Sequence, residues 1–160
     1  MLKVVSNTTP IISLLKISQL DILKKLYGKI FIPEAVHAEI DAGKSKKYYK
    51  DLSIINWINI VQIQDNLAIK YFMDMDSGEA EAIVLATEIG ADLIILDEKI
   101  GRFHAKHADL KVTGTLGVLI KAKQQGLISE LKPLLFELVE KDVWINEKLI
   151  KAVLKHIGEE

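Results

Sequence analysis

The 160-residue chain sets 21 Lys and Arg against 22 Asp and Glu, for a net charge of −1 with neutral histidines, and has no cysteine. That balance excludes a global basic field for nucleic acid, and the missing thiols exclude disulfides and thiolate metal sites. An apolar fraction of 49% is enough for one domain of this length. No stretch reaches the roughly 18 apolar residues of a membrane helix, and the N-terminus lacks a signal-peptide block, so the expectation is a soluble, cytoplasmic single domain over residues 1–160.

In chain order, Lys3 to Ser6 reads as a short strand, and Pro10 opens a helical segment carrying Ile11, Ile12, Leu14, Leu15 and Ile17. A second helix covers Leu20 to Leu26 and stops at Gly28. Lys29 to Ile32 is a strand, Pro33 stands where prolines start helices, and Glu34 to Ala42 follows. Ile58 to Ile63 is the next strand. Asp76 or Ser77 caps a helix from Gly78 to Ile89, which Gly90 ends. Asp92 to Leu96 is nearly all apolar, the mark of a strand buried on both faces. A short strand at Lys111 to Thr113 precedes a helix that runs through Lys123 and stops at Gly126. Helices at Ser129 to Glu140 and Asn146 to His156 complete the chain. The alternation of strands and helices is that of βα units around a mostly parallel sheet.

Four residues fall where chemistry is often found, and in open α/β sheets ligand sites form beyond the carboxyl ends of strands. Asn7 follows the first strand, Glu39 lies on the helix after Pro33, Glu79 starts the capped helix and Asp97 follows the buried strand. Hard cations such as Mg²⁺ or Mn²⁺ take oxygen ligands from carboxylates, and clustered carboxylates need such a counter-charge. Two carboxylates 4 Å apart repel by about 4 kcal/mol at an effective dielectric of 20. The same residues also have plain structural uses. Glu79 complements a helix dipole, Glu39 fits the solvent face of an amphipathic helix, and Asp97 fits a turn or a cap. The hydroxyls of Ser6, Thr8 and Thr9 stand ready to orient a water or a ligand.

At these residues the chain resembles PIN-domain proteins, the fold of VapC-type toxins, and within them a prokaryotic PIN-like family. The likeness runs through Val4-Val5-Ser6-Asn7-Thr8-Thr9-Pro10 and Ile32-Pro33-Glu34-Ala35-Val36 with Glu39. It continues through Gly78-Glu79-Ala80-Glu81-Ala82-Ile83, Leu96-Asp97-Glu98 with Gly101-Arg102, and Thr113-Gly114-Thr115-Leu116-Gly117-Val118-Leu119. The resemblance implies a three-layer α/β/α sandwich and a nuclease that binds Mg²⁺ or Mn²⁺. Asn7, Glu39, Glu79 and Asp97 would form its catalytic, metal-binding set, with Glu98 as a further ligand. Thr8, Thr9 and Arg102 would support the site or touch the substrate. It further implies RNA as substrate, a homodimer, and a cognate antitoxin as partner. An amide at Asn7, where an aspartate is expected, removes one negative charge and predicts weak or conditional endoribonuclease activity. The alternative is a catalytically inactive PIN-like protein that binds RNA or a regulatory partner.

Other features have bland readings beside the functional ones. Glu81 lies two residues from Glu79 and so points to another helix face, toward solvent. Arg102 either grips a phosphate or holds a pocket carboxylate. His104 and His107 lack the further ligands of a zinc site, and His37 carries no role. Gly114 and Gly117 serve close packing or a phosphate at a helix start. The run Lys44 to Lys50, with Tyr48 and Tyr49 inside it, is a solvated loop or an RNA contact.

Overall fold

The computed structural model describes residues 2–160. Five strands, β1 (Val4–Ser6), β2 (Ile30–Pro33), β3 (Ile58–Val61), β4 (Leu93–Ile95) and β5 (Val112–Thr113), form one sheet in the order β3-β2-β1-β4-β5. Every neighbouring pair is parallel, with Val5 opposite Phe31 and Ile94 on its two sides. Eight α-helices are present among the described residues: α1 (Thr8–Lys16), α2 (Asp21–Tyr27), α3 (Glu34–Asp41), α4 (Ser77–Glu88), α5 (Lys99–His107), α6 (Thr115–Gln124), α7 (Lys132–Glu140) and α8 (Glu147–Ile157). Two 3₁₀ segments, Leu52–Ile54 and Asn66–Phe72, supplement them.

Successive strand side chains point to opposite faces, and the core divides accordingly. Val4, Ile30, Ile32 and Ile95 face a cluster built with Ile11, Leu14, Leu23, Leu119 and Leu135 from α1, α2, α6 and α7. Val5, Ile94 and Leu96 face a second cluster with Ala82, Ile83, Leu85 and Ala105 from α4 and α5. Two helical layers thus enclose the sheet, which is why its strands read as apolar runs. The chain is α/β with a wholly parallel sheet, as the alternation of its elements required.

Several boundaries differ from the sequence expectation. The first helix begins at Thr8, two residues before Pro10, because a proline within the first turn forfeits no intrahelical hydrogen bond. The same tolerance lets α7 start at Lys132 with Pro133 in its first turn. Helix α5 was not among the expected elements; its Ile100 and Phe103 remain exposed, and only Gly101 and Ala105 are buried.

The order β2-β1-β4 determines where the site forms. From β1 the chain adds β2 and β3 on one side and then β4 and β5 on the other, so strand order reverses between β1 and β4, and in open parallel sheets ligands bind beyond the carboxyl ends at such a switch point. The backbone N–H of Asn7 extends the ladder, donating to the Ile95 carbonyl at 3.0 Å. This clamps the exit of β1 to the exit of β4, which leads directly into Asp97 and Glu98.

Candidate functional site

Asn7 occupies the N-cap position of α1 in extended conformation, yet its side chain makes no cap hydrogen bond. Asparagine is among the favoured N-cap residues, so the departure has a cause. The Nδ2 amide turns instead to Glu98 and donates to Oε2 at 3.3 Å. Asn7 is only 2% exposed, and its Oδ1 is buried with no hydrogen-bond partner among the described residues. A buried amide oxygen left unpaired carries a desolvation cost of about 1–3 kcal/mol, and it is a free oxygen donor at the mouth of the β1–β4 crevice.

Three of the carboxylates around it, Glu39, Glu98 and Asp97, are held by a hydroxyl or a backbone amide. The Thr8 hydroxyl donates to Glu39 Oε2, and the Gly78 N–H donates to Glu39 Oε1 at 2.9 Å. The Thr9 hydroxyl donates to Glu98 Oε1 at 2.8 Å. Asp97 receives two bonds from Thr115, from its N–H at 2.8 Å and its hydroxyl at 2.6 Å. Asp97 therefore fixes the start of α6, the structural use open to it from the sequence.

Three glycines make this packing possible. A Cβ on Gly78 would lie 2.5 Å from Glu39 Oε2, one on Gly101 2.9 Å from Glu79 Oε2, and one on Gly114 2.6 Å from Asp97 Oδ1. Carboxylate oxygens occupy the space that any larger residue would fill.

Glu79 is 6% exposed. Its pKa is pushed up to about 8, first by burial, then by the charges of Glu98 and Asp76, by a hydrogen bond with the Asp76 side chain, and by Glu39. Asp76 meanwhile caps α4, accepting from the Glu79 N–H at 2.9 Å. The helix dipole is thus already complemented by Asp76, and the dipole alone does not account for burying a second acid there.

The structure therefore brings Asn7, Thr8, Thr9, Glu39, Glu79 and Glu98 together. It sets Asp97 one step aside, on Thr115 and beside Arg102, whose Nη1 also lies against Gly114. Glu98 stands in direct contact with Asn7 and repels Glu79. Among the described residues, Arg102 forms no ion pair. Glu81 is not a solvent residue, since its Oε1 accepts from the Ala35 N–H at 3.2 Å and so serves the start of α3.

This donor set fits a hard divalent cation: several carboxylates, one neutral oxygen without a partner, and an acid that burial and like charge keep from ionising at ordinary pH. A second group, His37, Asp41 and Asp51, also brings possible ligand atoms within 4.8 Å of one another. His37 and Asp41 lie on a different face of α3 from Glu39, two residues being about 200° around a helix. Asp51 is taken up by the Ser53 N–H at 3.0 Å and hydroxyl at 2.6 Å, and Asp41 by the Tyr49 hydroxyl at 2.6 Å. His37 Nε2 stands 3.3 Å from Asp41 Oδ2 but is not aligned for a hydrogen bond. The i, i+4 spacing of His37 and Asp41 was readable in the sequence; the approach of Asp51 was not. Tyr49 is engaged here, and Tyr48 packs against the core beneath the Lys16 ammonium, so neither aromatic of the basic run is a free stacking platform. His104 pairs with Asp74 at 3.0 Å and packs edge-on against Phe72, a surface clasp.

An all-parallel sheet between helical layers, with acids gathered beyond the carboxyl ends of β1 and β4, defines the chain as an α/β protein with a cation-suited acidic crevice. Its sequence matches the family model described as a PIN domain over residues 3–159, and the chain belongs to that family. Among curated proteins and among solved structures, nothing matches it significantly.

Proposed function

We propose that this chain is a Mg²⁺- or Mn²⁺-dependent endoribonuclease that hydrolyses RNA phosphodiesters at the β1–β4 crevice, attenuated by the neutral Asn7. The observation that carries the reading is Glu79, a buried acid crowded by Glu98, Asp76 and Glu39. Its charged form calls for a counter-ion. Glu39, Glu79, Glu98 and Asp97 would hold the cation, with Asn7 Oδ1 as a neutral ligand. A divalent cation bound there supplies Lewis-acid chemistry, offsetting charge that builds on a phosphodiester and acidifying water.

The chain's own residues prepare the site. Thr8 and the Gly78 N–H fix Glu39, Thr9 and Asn7 fix Glu98, and Thr115 fixes Asp97. Each carboxylate keeps further lone pairs after these bonds. Such supporting hydrogen bonds set ligand orientation, and losing one typically costs about 10–100-fold in metal affinity. No covalent nucleophile is required.

The test is cleavage of RNA with Mn²⁺ by the wild type, Asn7→Asp, Asp97→Ala and Glu79→Gln. Gain in the first variant and loss in the other two support the proposal. Silence in all four favours a second reading, a PIN-like protein that binds RNA or a regulatory partner without turnover. The Asn7–Glu98 hydrogen bond speaks for that reading, because it gives Asn7 a structural occupation. A toxin role, with a cognate antitoxin and a homodimeric assembly, belongs to the proposal through the family. It predicts growth arrest on expression, relieved by co-expressing the adjacent reading frame.

A further inference from the structure

A cleft of about 700 Å³ opens beside the acidic crevice, and Thr9 and Asp97 line it as well. Its inner end is formed by the start of α6 and by Arg102, and its outer wall by the α7–α8 connection, which carries Trp144 and Asn146. Trp144 is 84% exposed, whereas the chain's other tryptophan, Trp57, is 8% exposed. A large aromatic held open at the rim of a cleft has no use in the core of this fold.

We propose that this cleft is a nucleotide subsite for single-stranded RNA, with a base stacked on Trp144 and a backbone phosphate held by Arg102. The inference rests on the nuclease reading for its direction, since Thr9 and Asp97 border the cleft and Thr9 also holds Glu98 in the acidic crevice. Ile12, Leu116, Val143 and Leu149 give the cleft an apolar lining that suits the face of a base, and three observations support this occupant. The guanidinium of Arg102 forms no ion pair among the described residues. It stands beside Asp97 against Gly114, which places a cation where the crevice is otherwise acidic. Arg is suited to phosphate because its planar fork matches two oxygens. The volume suits one nucleotide with its solvent, being in the range that pockets offer to small organic ligands. Base–aromatic stacking is tolerant of sequence, so the subsite adds grip and register rather than base identity. Lys16, at the far side, is tied to the Lys141 carbonyl at 3.0 Å and is not assigned to phosphate. Asp142 also borders the cleft and disfavours a second phosphate there.

The experiment titrates the full chain with a 2′-O-methyl RNA hexamer, which resists cleavage, and follows tryptophan fluorescence and the anisotropy of a labelled copy. Trp144 fluorescence should be quenched on binding, and Trp144→Ala should weaken binding about tenfold or more. Trp144→Phe should retain most of the affinity, and an abasic hexamer should bind wild type and Trp144→Ala alike. Arg102→Ala should weaken intact and abasic hexamers by the same factor. Equal affinity of wild type and Trp144→Ala for the intact hexamer overturns the proposal, as does an absence of hexamer binding. A change in sedimentation on Trp144→Ala with no change in hexamer affinity also overturns it, in favour of a contact between chains. Mn²⁺ binding, measured separately by calorimetry, distinguishes the two readings. Trp144-dependent RNA binding without Mn²⁺ binding leaves the subsite and removes the nuclease; Mn²⁺ binding with RNA affinity indifferent to Trp144 does the reverse.

Discussion

Replacing Glu79 by Gln should remove a definite pH dependence from the stability of the metal-free protein. The folded chain holds the Glu79 carboxyl at about 8 against an ordinary value of 4.5. Below pH 4.5 the group is protonated folded and unfolded, and burial costs nothing in charge. Between 4.5 and 8 the folded state binds the extra proton, so stability falls as pH rises. Above 8 the loss is complete and constant. Taken at full weight the difference corresponds to roughly 5 kcal/mol. Glu98, Glu39 and Asp76 are not buried, and solvent screening of their charges brings the expected loss to about 2–3 kcal/mol. The assay is urea unfolding of wild type and Glu79→Gln at intervals from pH 5 to 9 in chelator. Gln carries no proton to lose, so the variant should become more stable than wild type toward pH 8. The difference between the curves reports Glu79 together with its coupling to Glu98, Asp76 and Glu39, and removes the contribution of groups remote from it. Saturating Mn²⁺ should flatten the wild-type curve, because the cation replaces the proton. Parallel curves for wild type and variant across this window would refute the account of a crowded, buried acid.

Other expectations follow from the same contacts. Asn7→Asp replaces the amide donor to Glu98 with a like charge, so it should lower stability without metal by about 1–3 kcal/mol. It should also enlarge the thermal shift produced by Mn²⁺, as read by calorimetry. Gly78→Ala drives a methyl into the Glu39 carboxylate; it should cost about 1–3 kcal/mol and reduce Mn²⁺ affinity in a calorimetric titration. Thr115→Val removes one of the two hydrogen bonds to Asp97, and should cost about 1 kcal/mol in urea unfolding and about tenfold in Mn²⁺ affinity. Glu81→Ala loses the bond to the Ala35 N–H, and should cost about 0.5–1.5 kcal/mol while leaving Mn²⁺ affinity unchanged.

Much of the architecture was legible in the order of residues. β-branched runs marked all five strands, Asp76 announced the start of α4, and Gly28 and Gly90 marked helix ends by their positive φ. These are local signals, fixed by backbone sterics and by unsatisfied amides within a turn. The acids were legible in part: Glu79 begins a helix and Asp97 follows a strand, whereas Glu39, in the second turn of α3, and Glu98 gained their places through the family resemblance. The start of α1 at Thr8 was missed because Asn7 was weighed as a site residue and not as the cap position it also occupies. The role of Glu81 was missed because its partner is forty-six residues away in the chain.

What the sequence by itself determined is the alternation of strands and helices, the parallel sense of the sheet and the identity of the acids beyond its carboxyl edge. Only the tertiary structure decided that β4 lies beside β1, so that Asn7 meets Glu98 across ninety-one positions. It also decided that Glu98, and not Asp97, confronts Glu79, and that Trp144 borders the adjoining cleft. The physical reason is that pairing between strands is a long-range choice, made by burial on both faces. A strand buried on both faces shows no alternation from which to read the side its exit residues take.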